Sequence, residues 1–232
     1  MKVLFAGPSL SGVDYDRQGL DIRPPARQGD LHRAVLDGAS AIGLVDGVFG
    51  FVPSVWHKEI LFALQAGVHV LGAASLGALR AAECAPFGME PVGAIALAYL
   101  DGERIEDGDV CLAHAPEEMD FMPLSEPLVD VEATVAAMVA TRAAKPAEAD
   151  ALLTAARAIH FADRTPDAIA QRAGLPALAG RYRRHRTSAK TADALLLVER
   201  LRSLPDRRGR APADWDFVPS DPWRRYLAGR AA

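Results

Sequence analysis

One serine flanked by small residues is the strongest candidate for chemistry in this sequence. Ser75 lies in the segment AASLG, after the short apolar run 68–71 and before the helix-forming run 78–83. A sharp strand-to-helix turn needs small residues two positions to either side of the serine, because larger side chains would collide with the neighbouring backbone. Such a turn lifts the serine Oγ to the edge of a sheet. The pattern predicts a nucleophilic serine, with Ala73 at a position where glycine is usual.

The alternative for Ser75 is a structural role at the start of the helix. Serine is a preferred N-cap residue because its Oγ accepts a backbone N–H of the first helical turn. The local sequence is compatible with both roles. If Ser75 is a nucleophile, the amides of Leu76 and Gly77, which follow it directly, are the predicted donors of an oxyanion hole.

Strands and helices alternate through the first half of the chain. The strands are predicted at 2–6, 19–23, 41–45 and 68–71, with helices at about 31–37 and 53–67. Apolar strands separated by helices are typical of a parallel sheet with helices on both faces. The sequence therefore predicts an α/β fold with a doubly wound, mostly parallel sheet.

The second half is richer in alanine, leucine and arginine. Helices are predicted at about 131–143, 146–160, 166–173 and 188–203, and the aromatic residues of the tail are expected to dock back onto the domain. We therefore divide the chain into an α/β core domain, residues 1–128, and a C-terminal helical extension, residues 129–232, that packs on the core.

The predicted topology gathers polar side chains at one edge of the sheet. Loops that follow parallel strands lie at the carboxyl edge, where ligands bind. The helix after the third strand starts at the same edge, so its first turns belong to the same crevice. The residues expected there are Ser9, Arg27 with Asp30, Asp46, His57, Lys58, Glu59 and Ser75.

Lys58 and His57 are the two candidate bases for Ser75. The helix dipole disfavours a cation near a helix N-terminus by about 0.3–1 kcal/mol, and partial burial disfavours the ammonium form further. A neutral Lys58 could therefore take the serine proton, as in serine–lysine pairs, whereas His57 is suited to proton transfer at neutral pH. Asp46 is predicted to orient the base. Both candidates could instead be surface residues, with Lys58 in a salt bridge to Glu59 or Asp46.

Two charged residues on the helix after Ser75 complete the set. Arg80 and Glu83 are spaced i,i+3, which predicts an ion pair. Arg80 could instead bind an anionic substrate. His114, in a loop before Pro116, is interpreted as structural.

The composition argues against several other functions. The formal net charge of −4 does not favour nucleic acid as a partner, and the basic segment 181–186 is interpreted as a solvated or partner-facing surface. Two cysteines without a C-x-x-C pair do not indicate a disulfide framework or a zinc site, and we expect no metal. Without an apolar run of 18 residues or a signal segment, cytoplasmic localisation and no membrane partner are expected.

Several segments of the first half resemble the TfuA family. They are 7–10 (GPSL), 25–31 (PARQGDL), 41–49 (AIGLVDGVF), 52–60 (VPSVWHKEI), 72–83 (GAASLGALRAAE), 87–89 (FGM) and 124–127 (LSEP). The resemblance covers about residues 3–128, and its most specific parts are the run from Trp56 to Ile60 and the run around Ser75. The helical half shows no such resemblance.

The resemblance implies a role beside a YcaO enzyme, which uses ATP to activate a peptide amide so that sulfide can replace its oxygen. The implied task is sulfur supply: hydrolysis of the C-terminal thiocarboxylate of a small ubiquitin-like sulfur carrier, and stimulation of the YcaO partner. Such a protein has no cofactor of its own, because ATP and magnesium belong to the partner, through which the peptide or protein substrate is reached. A serine nucleophile suits this chemistry, because amide donors stabilise the tetrahedral anion by about 3 kcal/mol each.

Two other functions remain open from the sequence. The chain could be a non-catalytic activating or docking subunit of a YcaO enzyme, with Ser75 as a helix cap, or an unrelated small serine hydrolase. In the enzymatic interpretation the catalytic residues are Ser75, Lys58 or His57, and Asp46. The substrate-binding or oxyanion residues are Leu76, Gly77, Ser9, Arg27, Glu59, Arg80 and Glu83.

Overall fold

Five parallel strands form the centre of the fold in the computed structural model, which describes residues 1–50 and 52–228. The strand order is β2-β1-β3-β4-β5, and each neighbouring pair is parallel. The strands are β1 (Lys2–Phe5), β2 (Leu20–Arg23), β3 (Ala41–Leu44), β4 (His69–Gly72) and β5 (Glu90–Pro91). The predicted α/β fold with a parallel sheet is confirmed, and the short β5 adds a strand in a region predicted to be irregular.

Helices follow the strands and fill the second half of the chain. Within the described residues they are α1 (Asp30–Leu36), α2 (His57–Gln65), α3 (Leu76–Cys84), α4 (Gly93–Leu100), α5 (Leu128–Ala140), α6 (Pro146–Arg157), α7 (Pro166–Arg172), α8 (Ala179–Arg184), α9 (Ala189–Ser203) and α10 (Asp221–Ala228). None of these helices combines the length and the apolar character that crossing a membrane requires.

The start of α2 differs from the prediction. The helix begins at His57 rather than Pro53, and Trp56 before it has an extended backbone with φ −82° and ψ 144°. The Glu59 side chain accepts a hydrogen bond from the Trp56 amide at 3.2 Å, and the Glu59 amide donates to the Trp56 carbonyl at 3.0 Å. These reciprocal bonds fix the first turn of the helix after Trp56.

The two faces of the sheet are covered by helices from different parts of the chain. Side chains of a strand alternate between faces, and Val3 and Phe5 pack in one cluster with residues of α1, α2 and α3, whereas Leu4 packs in another with residues of α9. The second packing is close, because a Cβ added at Gly43 would lie 2.6 Å from a methyl carbon of Leu197 on α9. A helix of the predicted extension therefore covers one face of the core sheet.

The remaining helices of the second half share a core of their own. Buried residues of α5, α6, α7 and α8 form a separate cluster that includes Val135, Leu152, Ile169 and Tyr182. The boundary at residue 128 between the core domain and the helical extension stays a prediction. Helix α9 links these two parts, because it starts beside α5 and runs across the sheet.

The tail packs on the face of the sheet that α1 and α2 cover. Trp223 is 2% exposed, and its ring lies 5.3 Å from that of His32 and 5.6 Å from that of Phe62. Trp215 donates a hydrogen bond to the Phe87 carbonyl at 3.2 Å. The predicted docking of the C-terminal aromatic residues is confirmed.

Candidate functional site

The turn between β4 and α3 is sharp and strained. Ala74 has a φ of +64°, and the Ser75 amide donates to the Ala73 carbonyl at 2.7 Å. A bond across three residues with a positive central φ is a tight turn that non-glycine residues rarely adopt. The predicted strand-to-helix turn is therefore present, with its strain at the residue before the serine.

Position 77, two residues after the serine, must be glycine because the start of α3 packs closely against the sheet. A Cβ added at Gly77 would lie 1.8 Å from the carbonyl oxygen of Leu44 in β3. The Gly77 amide donates to the Val45 carbonyl at 3.2 Å, so this geometry does not support Gly77 as an oxyanion donor. In the described part of the chain the Leu76 amide makes no such bond, which leaves it as the candidate donor.

The hydroxyl of Ser75 pairs with a lysine that the sequence analysis did not single out. The Ser75 side chain makes no capping bond to the backbone of α3, and its Oγ instead accepts a hydrogen bond from Lys190 Nζ at 3.0 Å. Lys190 Nζ also donates to the Val110 carbonyl at 2.9 Å. Both side chains are buried, Ser75 at 3% and Lys190 at 1% exposure. Ser75 occupies the N-cap position of α3, but its hydroxyl does not cap the helix as the structural alternative expected.

Asp46 is the acid of the same cluster. Its Oδ1 lies 3.9 Å from Lys190 Nζ and accepts a hydrogen bond from Ser9 Oγ at 2.7 Å. Its Oδ2 accepts the backbone amides of Gly7 and Ser9 at 2.9 and 3.0 Å. Three hydrogen bonds therefore hold a buried carboxylate beside a buried amine, and the predicted meeting of Ser9, Asp46 and Ser75 at the carboxyl edge is present.

A cavity of about 440 Å³ opens onto this cluster. Asp46, Ser75 and Lys190 line it together with two histidines and mostly apolar walls, and the other lining residues include Pro8, Val48, Phe49, Val110, Leu112, His114, His160 and Phe161. An apolar pocket with a few convergent polar groups is typical of a ligand site. Across the described residues, no group of three or more His, Cys, Asp or Glu side chains is arranged to hold a metal ion.

The two predicted bases lie elsewhere. Lys58 Nζ donates to the Val218 carbonyl at 2.9 Å and lies 5.3 Å from the centre of the Phe217 ring. His57 is exposed and pairs with Glu83, with 2.8 Å between Nε2 and Oε2. Neither residue lines the cavity. The correction is that the amine facing Ser75 comes from α9, because the first turn of α2 is turned towards the tail and the surface.

The predicted ion pair on α3 is confirmed. Arg80 Nη1 lies 2.6 Å from Glu83 Oε2, and Arg80 Nε donates to the Val55 carbonyl at 3.0 Å. Burial acts to raise the pKa of Glu83, but the hydrogen bond from His57 and the charge of Arg80 outweigh it and lower that pKa. Neither Arg80 nor Glu83 lines the cavity, so the structure gives them a surface ion pair and no contact with the candidate site.

The remaining predicted residues have structural contacts or lie apart from the cavity. Glu59 is fully buried, and its oxygens accept the amides of Gly29 at 2.8 Å and Trp56 at 3.2 Å; burial raises its pKa. It ties α1 to α2. Arg27 is exposed, and its amide donates to Asp30 Oδ2 at 2.9 Å.

A signal for Lys190 was present in the sequence. Residues 190, 194, 197 and 201 follow the spacing of one helix face, and the last three are buried alanine and leucine residues. A lysine on an apolar stripe is either paired in the interior or functional. This signal lies 115 residues from Ser75, so no local motif connects the two.

Comparisons with known proteins support the resemblance. Among curated proteins, no match to the chain was found. A family model described as TfuA-like protein matches residues 46–165, more than half of the 232 residues, and this stretch contains Asp46, Ser75 and both histidines of the cavity. The chain therefore belongs to the family of TfuA-like proteins, which associates it with thioamidation.

Proposed function

We propose that this protein releases sulfide from a thiocarboxylated ubiquitin-like sulfur carrier for a YcaO-type partner enzyme. Ser75 is the nucleophile and Lys190 its base. The observation that carries the proposal is the 3.0 Å contact between Lys190 Nζ and Ser75 Oγ at the wall of a cavity of about 440 Å³. Serine–lysine pairs perform acyl transfer in other folds.

The first half-reaction transfers the acyl group to the serine. In the reacting form Lys190 is the neutral amine and the hydrogen bond between the two side chains is reversed. The Ser75 hydroxyl then donates to Nζ and gives up its proton to it while Oγ bonds to the thiocarboxylate carbon. The Leu76 amide is placed directly after the nucleophile and donates to the developing oxyanion, which is worth about 3 kcal/mol per donor. When the C–S bond breaks, Lys190 gives the proton to sulfur, and hydrosulfide leaves an acyl ester on Ser75.

The second half-reaction restores the serine. Water adds to the ester carbon, the bond to Ser75 Oγ breaks, and Oγ recovers a proton. The carrier leaves as a carboxylate. The net change is the replacement of sulfur by a water oxygen, with hydrosulfide and one proton released.

The cavity supports a substrate that ends in a flexible chain. Its walls are mostly apolar and the serine–lysine pair is among its few polar groups, so a chain end can enter while water is displaced from the reacting carbon. A folded carrier would stay outside and insert only its C-terminus. We further propose that the protein acts in the cytoplasm without a cofactor of its own; the unpaired buried thiols Cys84 and Cys111 support a reducing compartment.

The test compares Ser75→Ala with the wild type on a purified thiocarboxylated carrier, with sulfide release as the measurement. We expect a loss of about 10³-fold or more in Ser75→Ala, and no loss in the control Ser203→Ala, which removes an exposed hydroxyl from α9. Unchanged release by Ser75→Ala would reject the serine mechanism. No release by the wild type, together with stimulation of a YcaO enzyme by both forms, would identify a non-catalytic subunit. Rapid hydrolysis of simple aryl esters without any effect on a YcaO enzyme would identify an unrelated hydrolase.

A further inference from the structure

Two histidines of the cavity have no part in the first half-reaction. His114 and His160 both line the cavity that contains Ser75 and Lys190. Their rings make different hydrogen bonds, and these bonds decide which ring nitrogen can accept a proton. One ring presents a nitrogen that can accept a proton, and the other presents a nitrogen that can only donate one.

The hydrogen bond of His114 leaves its outer nitrogen free to accept a proton. Nδ1 lies 2.8 Å from the carbonyl oxygen of Ala115. Because a carbonyl oxygen only accepts, Nδ1 carries the hydrogen, and in the neutral ring Nε2 is then the acceptor. This is the tautomer that a general base requires.

His160 has the opposite arrangement. Its Nδ1 accepts the amide of Ala162 at 3.4 Å, so the hydrogen of the neutral ring is on Nε2. In this form the outer nitrogen is a donor and cannot take a proton. His160 is therefore not a candidate for the base that activates water.

The loop around His114 holds its ring in place. His114 forms an antiparallel bridge with Pro123, and the bonds on either side join Leu124 to the Ala113 carbonyl at 2.8 Å and Ala115 to the Met122 carbonyl at 2.9 Å. The ring also packs edge-on against Phe121, with 5.8 Å between centroids. A base on a loop that backbone hydrogen bonds hold in place loses little conformational freedom when it acts.

We propose that His114 activates the water that hydrolyses the acyl ester of Ser75, an inference that rests on the proposed function. The water oxygen bonds to the ester carbon while one of its protons moves to His114 Nε2. The bond to Ser75 Oγ then breaks, the remaining hydroxyl proton passes to Oγ through Lys190, and His114 releases its proton to solvent. The carrier leaves as a carboxylate.

Lys190 is poorly placed to activate this water itself. Its amine already bonds to Ser75 Oγ and to the Val110 carbonyl, and in the acyl form that oxygen is the leaving group. Lys190 therefore serves the serine oxygen in both half-reactions. A second base can therefore serve the water, and His114 is available for this from the wall of the same cavity.

The test uses His114→Asn in the full chain with the purified thiocarboxylated carrier. The asparagine amide can keep the bond to the Ala115 carbonyl while the outer nitrogen is lost. We expect a normal first turnover with one sulfide released per protein, a later rate reduced by about 10²-fold, and a covalent carrier adduct on Ser75 in intact-mass spectra. The control His185→Asn removes a histidine that does not line the cavity, and it should turn over without an adduct.

Three other results would each overturn the proposed role of His114. Wild-type turnover by His114→Asn without an adduct would overturn the role of His114 and leave the serine mechanism standing. A slow first turnover without an adduct would also overturn it. Absence of sulfide release from the wild type would overturn the proposed function together with this inference. If His114→Asn melts well below the wild type, His114→Gln is measured in the same way, with the same adduct expected.

Discussion

A cluster of charged and polar groups lies near each end of helix α3, and the two clusters differ in burial and in the distances between their charged groups. The serine–lysine cluster consists of Ser9, Asp46, Ser75 and Lys190, and the surface cluster of His57, Arg80 and Glu83. Members of the first are at most 3% exposed, whereas the side chains of His57 and Glu83 are 51% and 44% exposed. Each cluster pairs a basic side chain with a carboxylate.

The difference shows which cluster needs an explanation beyond stability. Burying an amine beside a carboxylate has a desolvation cost of several kcal/mol, and a separation of 3.9 Å between Lys190 Nζ and Asp46 Oδ1 is too long for an ideal ion pair to offset it. The surface cluster has shorter contacts and little to offset, and such pairs contribute about 0–1 kcal/mol. A costly arrangement that lines a cavity points to function, and the surface cluster needs no functional account.

The largest expected effect on sulfide release distinguishes Lys190 from Lys58. Lys190→Met keeps the apolar stem and removes the amine, so we expect sulfide release to fall by about 10²–10⁴-fold. Lys58→Met removes the bond to the Val218 carbonyl and the contact with the Phe217 ring, both outside the cavity, and release should stay within about twofold of the wild type. The measurement is sulfide release from the thiocarboxylated carrier, with thermal unfolding as a check on folding.

The opposite ranking would change the interpretation of the site. If Lys58→Met abolished release while Lys190→Met retained it, the tail and α2 would have to rearrange around the substrate, and Lys58 would be the base after all. Equal activity of both variants would remove lysine from the mechanism.

The second prediction concerns how closely α3 approaches the sheet. Gly77→Ala places a Cβ 1.8 Å from the Leu44 carbonyl oxygen, and because backbone atoms cannot yield cheaply, we expect a loss of about 2–3 kcal/mol in the free energy of unfolding. Gly108→Ala is the control, since nothing lies within 4 Å of its added Cβ. Chemical denaturation measures both. An unaffected Gly77→Ala would mean that the helix start, and with it Ser75, is looser than described.

Much of the fold and part of the site follow from local sequence. The apolar strands and the helices between them predict the parallel sheet, and the topology brings Ser9, Asp46 and Ser75 to one edge because every β-to-α loop ends there. Small residues around the serine predict the turn, and the 1.8 Å approach at Gly77 shows why.

The proposed base could not be predicted in the same way. α2 starts four residues later than Pro53, a shift of about 6 Å along the helix axis, and its first turn contacts a tail whose position no local pattern gives. Lys190 comes from a helix that crosses the opposite face of the sheet. Its place on an apolar stripe marks it as unusual, but only the packing of α9 shows that it reaches Ser75.

A third prediction tests the carboxylate of the buried cluster. Asp46→Asn can keep the bonds to the Gly7 and Ser9 amides through its single oxygen and turn its amide group to Ser9 Oγ. What it removes is the negative charge beside Lys190, so we expect sulfide release to fall by about tenfold while the melting temperature changes little. Release equal to that of the wild type would show that the carboxylate only organises the backbone of its loop.

The smallest effect belongs to the surface cluster. Because His57 and Arg80 lower the pKa of Glu83, its contribution to stability is present above the unfolded-state pKa and is lost as the pH falls through the lowered folded-state pKa. Relative to Glu83→Gln, the wild type should be more stable by less than about 1 kcal/mol near pH 7, and the difference should disappear between about pH 5 and about pH 2. Denaturant unfolding across that range measures it.

Glu199→Gln is the matched control for this titration, because Glu199 is exposed on α9 and makes no ion pair in the described part of the chain. Sulfide release should be the same in Glu83→Gln and Glu199→Gln, since neither side chain reaches the cavity. A selective loss of release in Glu83→Gln would join the two clusters functionally, and the contrast between the ends of α3 would then fail.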